Sequence, residues 1–169
     1  ASAAYPRIMA SAFDTHEVTN QPPPLSGHDV YASDVALAEG VDRHGAGWAA
    51  SELHDLGRLA GSEEALDRGR QANEHPPVLR THDRYGHRID QVDFHPAYHE
   101  LMRTAIEHGL PSLPWVNPRA GAHVVRAGLT YLHSQAEAAS GCPLTMTFAA
   151  VPALRLQPNI AEAWLPKIL

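Results

Sequence analysis

Cysteine is almost absent from this chain: Cys142 stands alone among 169 residues. A single thiol cannot close an internal disulfide, so a reducing, cytoplasmic setting is expected. Basic charge is also scarce. Thirteen Lys and Arg face nineteen Asp and Glu, giving a formal net charge of −6 at pH 7. No stretch of the chain is basic, and this argues against contact with DNA through charge, because phosphate recognition wants a cationic face. Long apolar runs are missing too. The longest, residues 144–154, is interrupted by two threonines and a proline. It is too short to cross a bilayer, so no membrane span is expected, and it reads as a buried helix. The first thirteen residues lack the charged segment and long apolar stretch of a secretion signal. The chain opens on Ala1 and not on Met, which implies a processed or trimmed start. Phosphate cradles are absent: neither G-x-x-x-x-G-K-S/T nor G-x-G-x-x-G occurs, and the glycines at 45, 47, 57 and 61 read as helix ends.

What remains is an ordinary composition, 44% hydrophobic and 19% charged, long enough to hold one core. Twelve histidines are unusually many; scattered, they read as a surface bias, and a metal site would need several to converge.

The pattern is mostly α. Residues 1–28 form an arm in which Pro22, Pro23 and Pro24 forbid helix and favour an extended, polyproline-like path. Asp29 or Ser33 can cap a first helix with Tyr31, Val35 and Ala38 on one face and Val30, Leu37 and Val41 beside them. A second spans 49–60 with Leu53 and Leu56 inward. Ser62 caps a third, with Glu63 and Glu64 in its first turn, ending before Pro76 and Pro77. Residues 78–94 read as a short projecting hairpin around the turn-like Asp83–Arg84–Tyr85–Gly86. Pro96 opens the next helix, with Tyr98, Met102 and Ala105 inward and Gly109 past its end. Asn117 and Pro118 then open a long helix with the stripe Ala122, Val125, Leu129, Leu132, Ala136 and Ala139, closed by Gly141. Pro143 starts a helix that is apolar almost all round, expected at the buried centre of the fold, with Pro152 kinking or ending it. A last apolar helical segment carries Ile160, Trp164, Leu165, Ile168 and Leu169.

Three features invite a chemical reading. His95 and His99 stand four apart, a spacing that can place two imidazoles on one metal, but no third ligand is evident; His95 as a helix cap and His99 as a local hydrogen-bonding group is the simpler account, and no metal is expected. Cys142 lies beside a helix start, which lowers a thiol pKa, yet no nucleophile signature surrounds it. Met146, Thr147 and Phe148 either fill a core or line an apolar cavity, in which case the hydroxyls of Thr145 and Thr147 face a ligand between the walls of Met146 and Phe148.

Several stretches, in order, resemble the N-terminal region of the AidB-like branch of the flavin-containing acyl-CoA dehydrogenases: TNQPPPLSGHDVYASDVAL, GAGW, LGRLAGS, GRQANEHPP, VDFHPAYHELM and CPLTMTFAAVPAL. The likeness runs over residues 15–169. It implies an acyl-CoA dehydrogenase-type helical N-terminal domain over residues 29–169, which complete members follow with a β-barrel-like middle domain and a four-helix bundle. Such members hold FAD, assemble as homotetramers and oxidise the α,β bond of acyl-CoA thioesters. There a carboxylate takes the α-proton and the flavin takes hydride. The branch is linked to the DNA alkylation response, with DNA contact attributed to the C-terminal part. The flavin-binding segment of the type MTE-x-x-GGSD, the catalytic carboxylate and the bundle are not in this sequence. No catalytic residue is therefore carried over, and the 169 residues alone are expected to be inactive and without FAD. Thr145, Met146, Thr147, Phe148 and Ala149 are carried over only as lining near the acyl or flavin cavity. The alternative is a non-catalytic helical binding or assembly module whose apolar C-terminus is covered by a partner; the acidic balance disfavours a DNA-protecting module.

Overall fold

The computed structural model describes residues 12–16, 19 and 21–169. The first eleven residues of the proline-rich arm lie outside the described residues. Residues 21–28 form neither helix nor strand. They are held at the helical body where Gly27 N donates to Gly61 O at 2.7 Å and Ser26 Oγ donates to Glu63 at 3.3 Å.

The expected first helix is two. Helix α1, Val30–Ser33, is capped by Asp29, and α2, Val35–Arg43, by Asp34, whose carboxylate accepts from Leu37 N at 2.9 Å. A second Asx cap inside an apolar pattern ends one helix and begins another. The break leaves Val35, expected inward, 66% exposed, while Tyr31 and Val41 are buried. A 3-10 turn, Gly47–Ala49, leads into α3, Ala50–Ala60, and Ser62 caps α4, Glu63–Glu74, with its hydroxyl on Ala65 N at 3.1 Å. Gly57 is not a helix end but an interior position of α3, packed where a side chain would meet Asp29 and Tyr31.

Strands β1, Val78–His82, and β2, Arg88–Asp93, form an antiparallel hairpin in the register Val78↔Asp93, Leu79↔Val92, Arg80↔Gln91 and His82↔Arg88. The register shifts between Arg80 and His82, opposite Asp90, which sits at φ 45°. The Asp83 carboxylate ties the turn by accepting from Tyr85 N and His87 N at 2.8 and 2.9 Å. Every strand residue but Asp93 is exposed, so the hairpin projects as expected.

Helix α5, Pro96–Glu107, starts at Pro96 with His95 as its cap. Its buried stripe is Ala97, Leu101 and Ala105; Ala105 is inward as expected, while Tyr98 and Met102 are half-buried and give way to their neighbours Ala97 and Leu101. Asn117 closes the short α6, Leu113–Val116, and does not open the long helix. That helix, α7, is Ala122–Ala136, begun by Gly121 at φ 78°. A side chain at 121 would press on Gly45 O, so glycine is required for backbone path and space alike. The loop between α6 and α7 is fixed elsewhere: Trp48 Nε1 donates to Ala120 O at 3.0 Å, and the Arg119 guanidinium lies 3.3 Å over the Trp48 ring.

Helix α7 forms the centre. Val125, Leu129 and Leu132 pack on Leu53 and Leu56 of α3, Val41 of α2 and Leu110, all essentially inaccessible. Ala139, the expected end of the stripe, lies beyond the helix and is exposed. Helix α8, Gly141–Leu154, begins two residues before Pro143 and ends two beyond Pro152. It is not the buried centre: only Leu144 and Val151 are buried. Uniform apolarity signals coverage on all sides, and the elements of this chain cover one side. Helix α9, Pro158–Ile168, packs on α8 and buries none of its residues. No helix among the described residues is long and apolar enough to cross a membrane.

Candidate functional site: the open face of helix α8

Helical spacing sorts the five candidate lining residues onto different faces. Thr145, Met146 and Ala149 lie with Cys142, Pro152 and Ala153 on an exposed stripe at i, i+3, i+4 and i+7 spacing, and Leu156 extends it in the turn past the helix end. Met146 is 68% and Leu156 84% exposed. Thr147 and Phe148 turn away. The Thr147 hydroxyl donates back to Pro143 O at 3.0 Å, the usual local bond of a mid-helix threonine.

Phe148 belongs to an aromatic and cationic cluster behind the stripe. Its ring stacks on Trp115 at 4.9 Å, and His123 meets both edge-on at 5.8 and 5.4 Å. The Trp115 indole N–H donates to Phe148 O at 3.0 Å. On another side the Arg126 guanidinium lies 3.7 Å from the Phe148 centroid, inside cation–π range, and Arg155 stands 5.4 Å over Trp115. Arg126 also donates through Nε to Leu110 O at 2.7 Å and through Nη2 to Thr145 Oγ1 at 3.4 Å. It is half-buried and pairs with no carboxylate among the described residues. Burial pulls its pKa below the ordinary arginine value. None of Arg126, Trp115 and His123 was singled out as functional by pattern. The available signal was that Arg126 is the only Asp, Glu, Lys or Arg in α7.

The start of α8 is set by a buried polar turn. The Glu137 carboxylate accepts from Ala139 N and Ser140 N at 2.5 and 2.8 Å, and Ser140 Oγ lies 3.0 Å from His133 Nε2. His133 is held below the ordinary imidazole pKa by burial, against an opposing pull from Glu137. A cleft of about 290 Å³ opens beside this turn, walled by His75, Pro77, Phe94, His95 and Tyr98.

The remaining candidates separate. His95 caps α5 through Nδ1, which accepts from Ala97 N at 3.2 Å, and stacks on His75 at 4.6 Å, while His99 lies against Phe94 and Tyr98. Among the described residues no three His, Cys, Asp or Glu side chains gather to hold a metal. Cys142 is exposed, in the first turn of α8.

Residues 20–169 match the family described as the adaptive response protein AidB N-terminal domain. The chain is 45% identical over 159 residues to the acyl-CoA dehydrogenase-like protein AidB of Escherichia coli (strain K12), covering 93% of this chain and 29% of that one. Among solved structures, the apo form of Bd2924 superposes with a TM-score of 0.78 at 28% identity, covering 85% of this chain and 30% of its own. The fold is shared with Caenorhabditis elegans ACDH-11, solved in complex with C11-CoA, at a TM-score of 0.74 and 23% identity, over 89% of this chain and 28% of that one. The chain thus spans less than a third of the length of these relatives. A helical body of the acyl-CoA dehydrogenase N-terminal type, matched along nearly its whole length, belongs to the AidB N-terminal domain family.

Proposed function

We propose that this chain is the N-terminal helical domain of an AidB-like, FAD-dependent acyl-CoA dehydrogenase, and that the open stripe of α8 is one wall of its acyl and flavin cavity. The observation that carries the reading is the exposure of Thr145, Met146, Ala149 and Ala153 along an almost wholly apolar helix, continued by Leu156 in the turn beyond it, in a chain spanning 29% of its relative. Apolar surface of this extent favours a covering layer.

The stripe suits such a ligand. Met146, Ala149, Ala153 and Leu156 offer a surface without charge to an acyl tail or a flat ring, and Thr145 adds one hydroxyl. FAD, when bound, supplies the acceptor for the hydride that leaves the acyl β-carbon. This chain's residues contribute shape, water exclusion and orientation, and none acts as catalytic base. We assign residues 1–28 to an arm and 29–169 to the helical domain. The arm and the projecting hairpin, with Leu79, Ile89 and Val92 exposed, serve as subunit contacts in a tetrameric, cytoplasmic parent. Any part in the DNA alkylation response runs through other regions, since net charge −6 leaves this one unsuited to DNA.

Flavin content tests the proposal. The full-length protein is expected to be yellow and to bleach anaerobically with acyl-CoA, and the isolated 169 residues to be colourless. A colourless full-length protein indifferent to acyl-CoA would overturn it. A second reading, a non-catalytic module covered by a partner, draws on α9, where Trp164 is 53% exposed and nothing is buried. It requires a full-length protein without flavin whose α9 face is protected only in a complex.

A further inference from the structure

We propose that Thr145, oriented by Arg126, is the hydrogen-bond donor of the α8 wall and gives its hydroxyl proton to a carbonyl oxygen of the molecule lying over the stripe. This rests on the cavity-wall reading above and adds to it the residue that recognises polar chemistry on an otherwise apolar surface.

The two threonines of α8 differ in one respect. Thr147 spends its proton on Pro143 O, four residues back. Thr145 has the same option at Gly141 O and does not take it; the hydroxyl's one partner among the described residues is the Arg126 guanidinium. A guanidinium has five N–H donors and no acceptor. Against Arg126, therefore, Thr145 Oγ1 can only accept, and its own proton is left to point elsewhere. Thr145 is exposed on the stripe, so that direction is the open face. The contact is long at 3.4 Å, and its effect is to orient the hydroxyl, since the cation beside it can only donate.

Arg126 is built for a fixed position. Nε is anchored on Leu110 O at 2.7 Å and the plane is held over the Phe148 ring at 3.7 Å. No carboxylate pairs with it among the described residues, and Nη2 reaches α8 at Thr145 Oγ1. Other polar side chains of α8 do not serve. Cys142 is a weak donor, and Thr147 is committed. A carbonyl acceptor over the stripe thus has one strong side-chain donor within α8. The acceptor chemistry is shared by a flavin ring carbonyl and an acyl thioester carbonyl. Arg126 acts through Thr145 and is a positioning residue.

The test uses the full-length flavin-loaded protein with Thr145→Val, which keeps shape and removes the donor, and Thr145→Ser, which restores it. Two readouts are taken: the flavin spectrum and midpoint potential without substrate, and the Kd of an unreactive acyl-CoA analogue. Loss of one hydrogen bond predicts an about three- to tenfold weaker Kd if the thioester is the acceptor. If the flavin is the acceptor, a shifted spectrum and potential in the substrate-free protein are expected. In both cases the serine variant returns toward wild type, and Arg126→Gln reproduces the valine effect without adding to it in the double variant. A valine variant with wild-type spectrum, potential and Kd overturns the inference, as does a serine variant indistinguishable from valine. Wild-type protein lacking flavin and blind to acyl-CoA defeats the cavity-wall reading and this inference with it. Flavin-loaded wild type beside an indifferent valine variant defeats this inference alone.

Discussion

The Trp115 indole N–H donates to the main-chain carbonyl of Phe148 at 3.0 Å while the two rings stack 4.9 Å apart. One residue of the short helix α6 thereby holds α8 through both its backbone and a side chain. Trp115→Phe keeps an aromatic ring for the stack but loses the donor and part of the indole, and is expected to cost at least about 1 kcal/mol. Phe148→Ala keeps the main-chain acceptor and removes the stack and the seat of Arg126. Because Phe148 is only half-buried, its expected cost is about 2 kcal/mol, below that of a fully buried phenylalanine. Urea midpoints of the two variants give the order; a Phe148→Ala midpoint equal to that of wild type would show that the stack adds nothing.

Gly69 lets α4 approach the end of α7. A Cβ there would drive into the carbonyl oxygen of Ala136, a backbone atom that cannot swing aside. Gly69→Ala, normally favourable in a helix, is expected to destabilise by about 1–3 kcal/mol through overpacking. Thermal unfolding of this variant beside Gly40→Ala, which meets open space, separates the clash from helix propensity: the second should be neutral or stabilising.

His133 links stability to pH. Burial holds its imidazole below the ordinary value, so the unfolded chain binds the proton more readily than the folded one. Stability is fullest above the unfolded pKa of about 6.5 and falls as pH drops from there toward the folded value. Denaturation between pH 8 and 5 should show this decline, and His133→Gln should flatten it. An unchanged slope in the variant would assign the dependence to other groups. Asp29 acts lower down. Burial alone would raise its carboxyl, but the His54 and Ala32 hydrogen bonds outweigh it and hold the pKa below the ordinary range. Its contribution is therefore lost only as pH falls through that depressed value.

Several helix ends were legible because caps and prolines are local signals: Ser62, Pro96, and Pro76 with Pro77 all act where the sequence places them, although the first helix proved to be two and Leu113–Val116 coils into one more. Asp34 was missed because its neighbours continue an apolar period across it. Replacing it with alanine should cost about 1 kcal/mol by loss of the cap, read from the urea midpoint, and an undiminished midpoint would argue for one continuous helix. Asn117–Pro118 carries the signature of a helix start, yet Gly121 sets the start because the loop is pinned to Trp48, a contact 72 residues distant in sequence. The candidate site was legible as a segment and not as a surface. Apolarity marked residues 145–149, but only the helix phase, fixed by Leu144, Val151 and the Trp115 bond, decides that Thr145, Met146 and Ala149 face outward.

A bulky ring on the open stripe of α8, as in Ala149→Phe, should intrude on an acyl cavity that the stripe bounds in the full-length protein, and acyl-CoA affinity measured against chain length in the flavin-loaded protein reads this. Long chains are expected to lose at least tenfold in Kd while short chains bind as in wild type. An unchanged chain-length profile in a folded, flavin-loaded variant would contradict the cavity-wall reading.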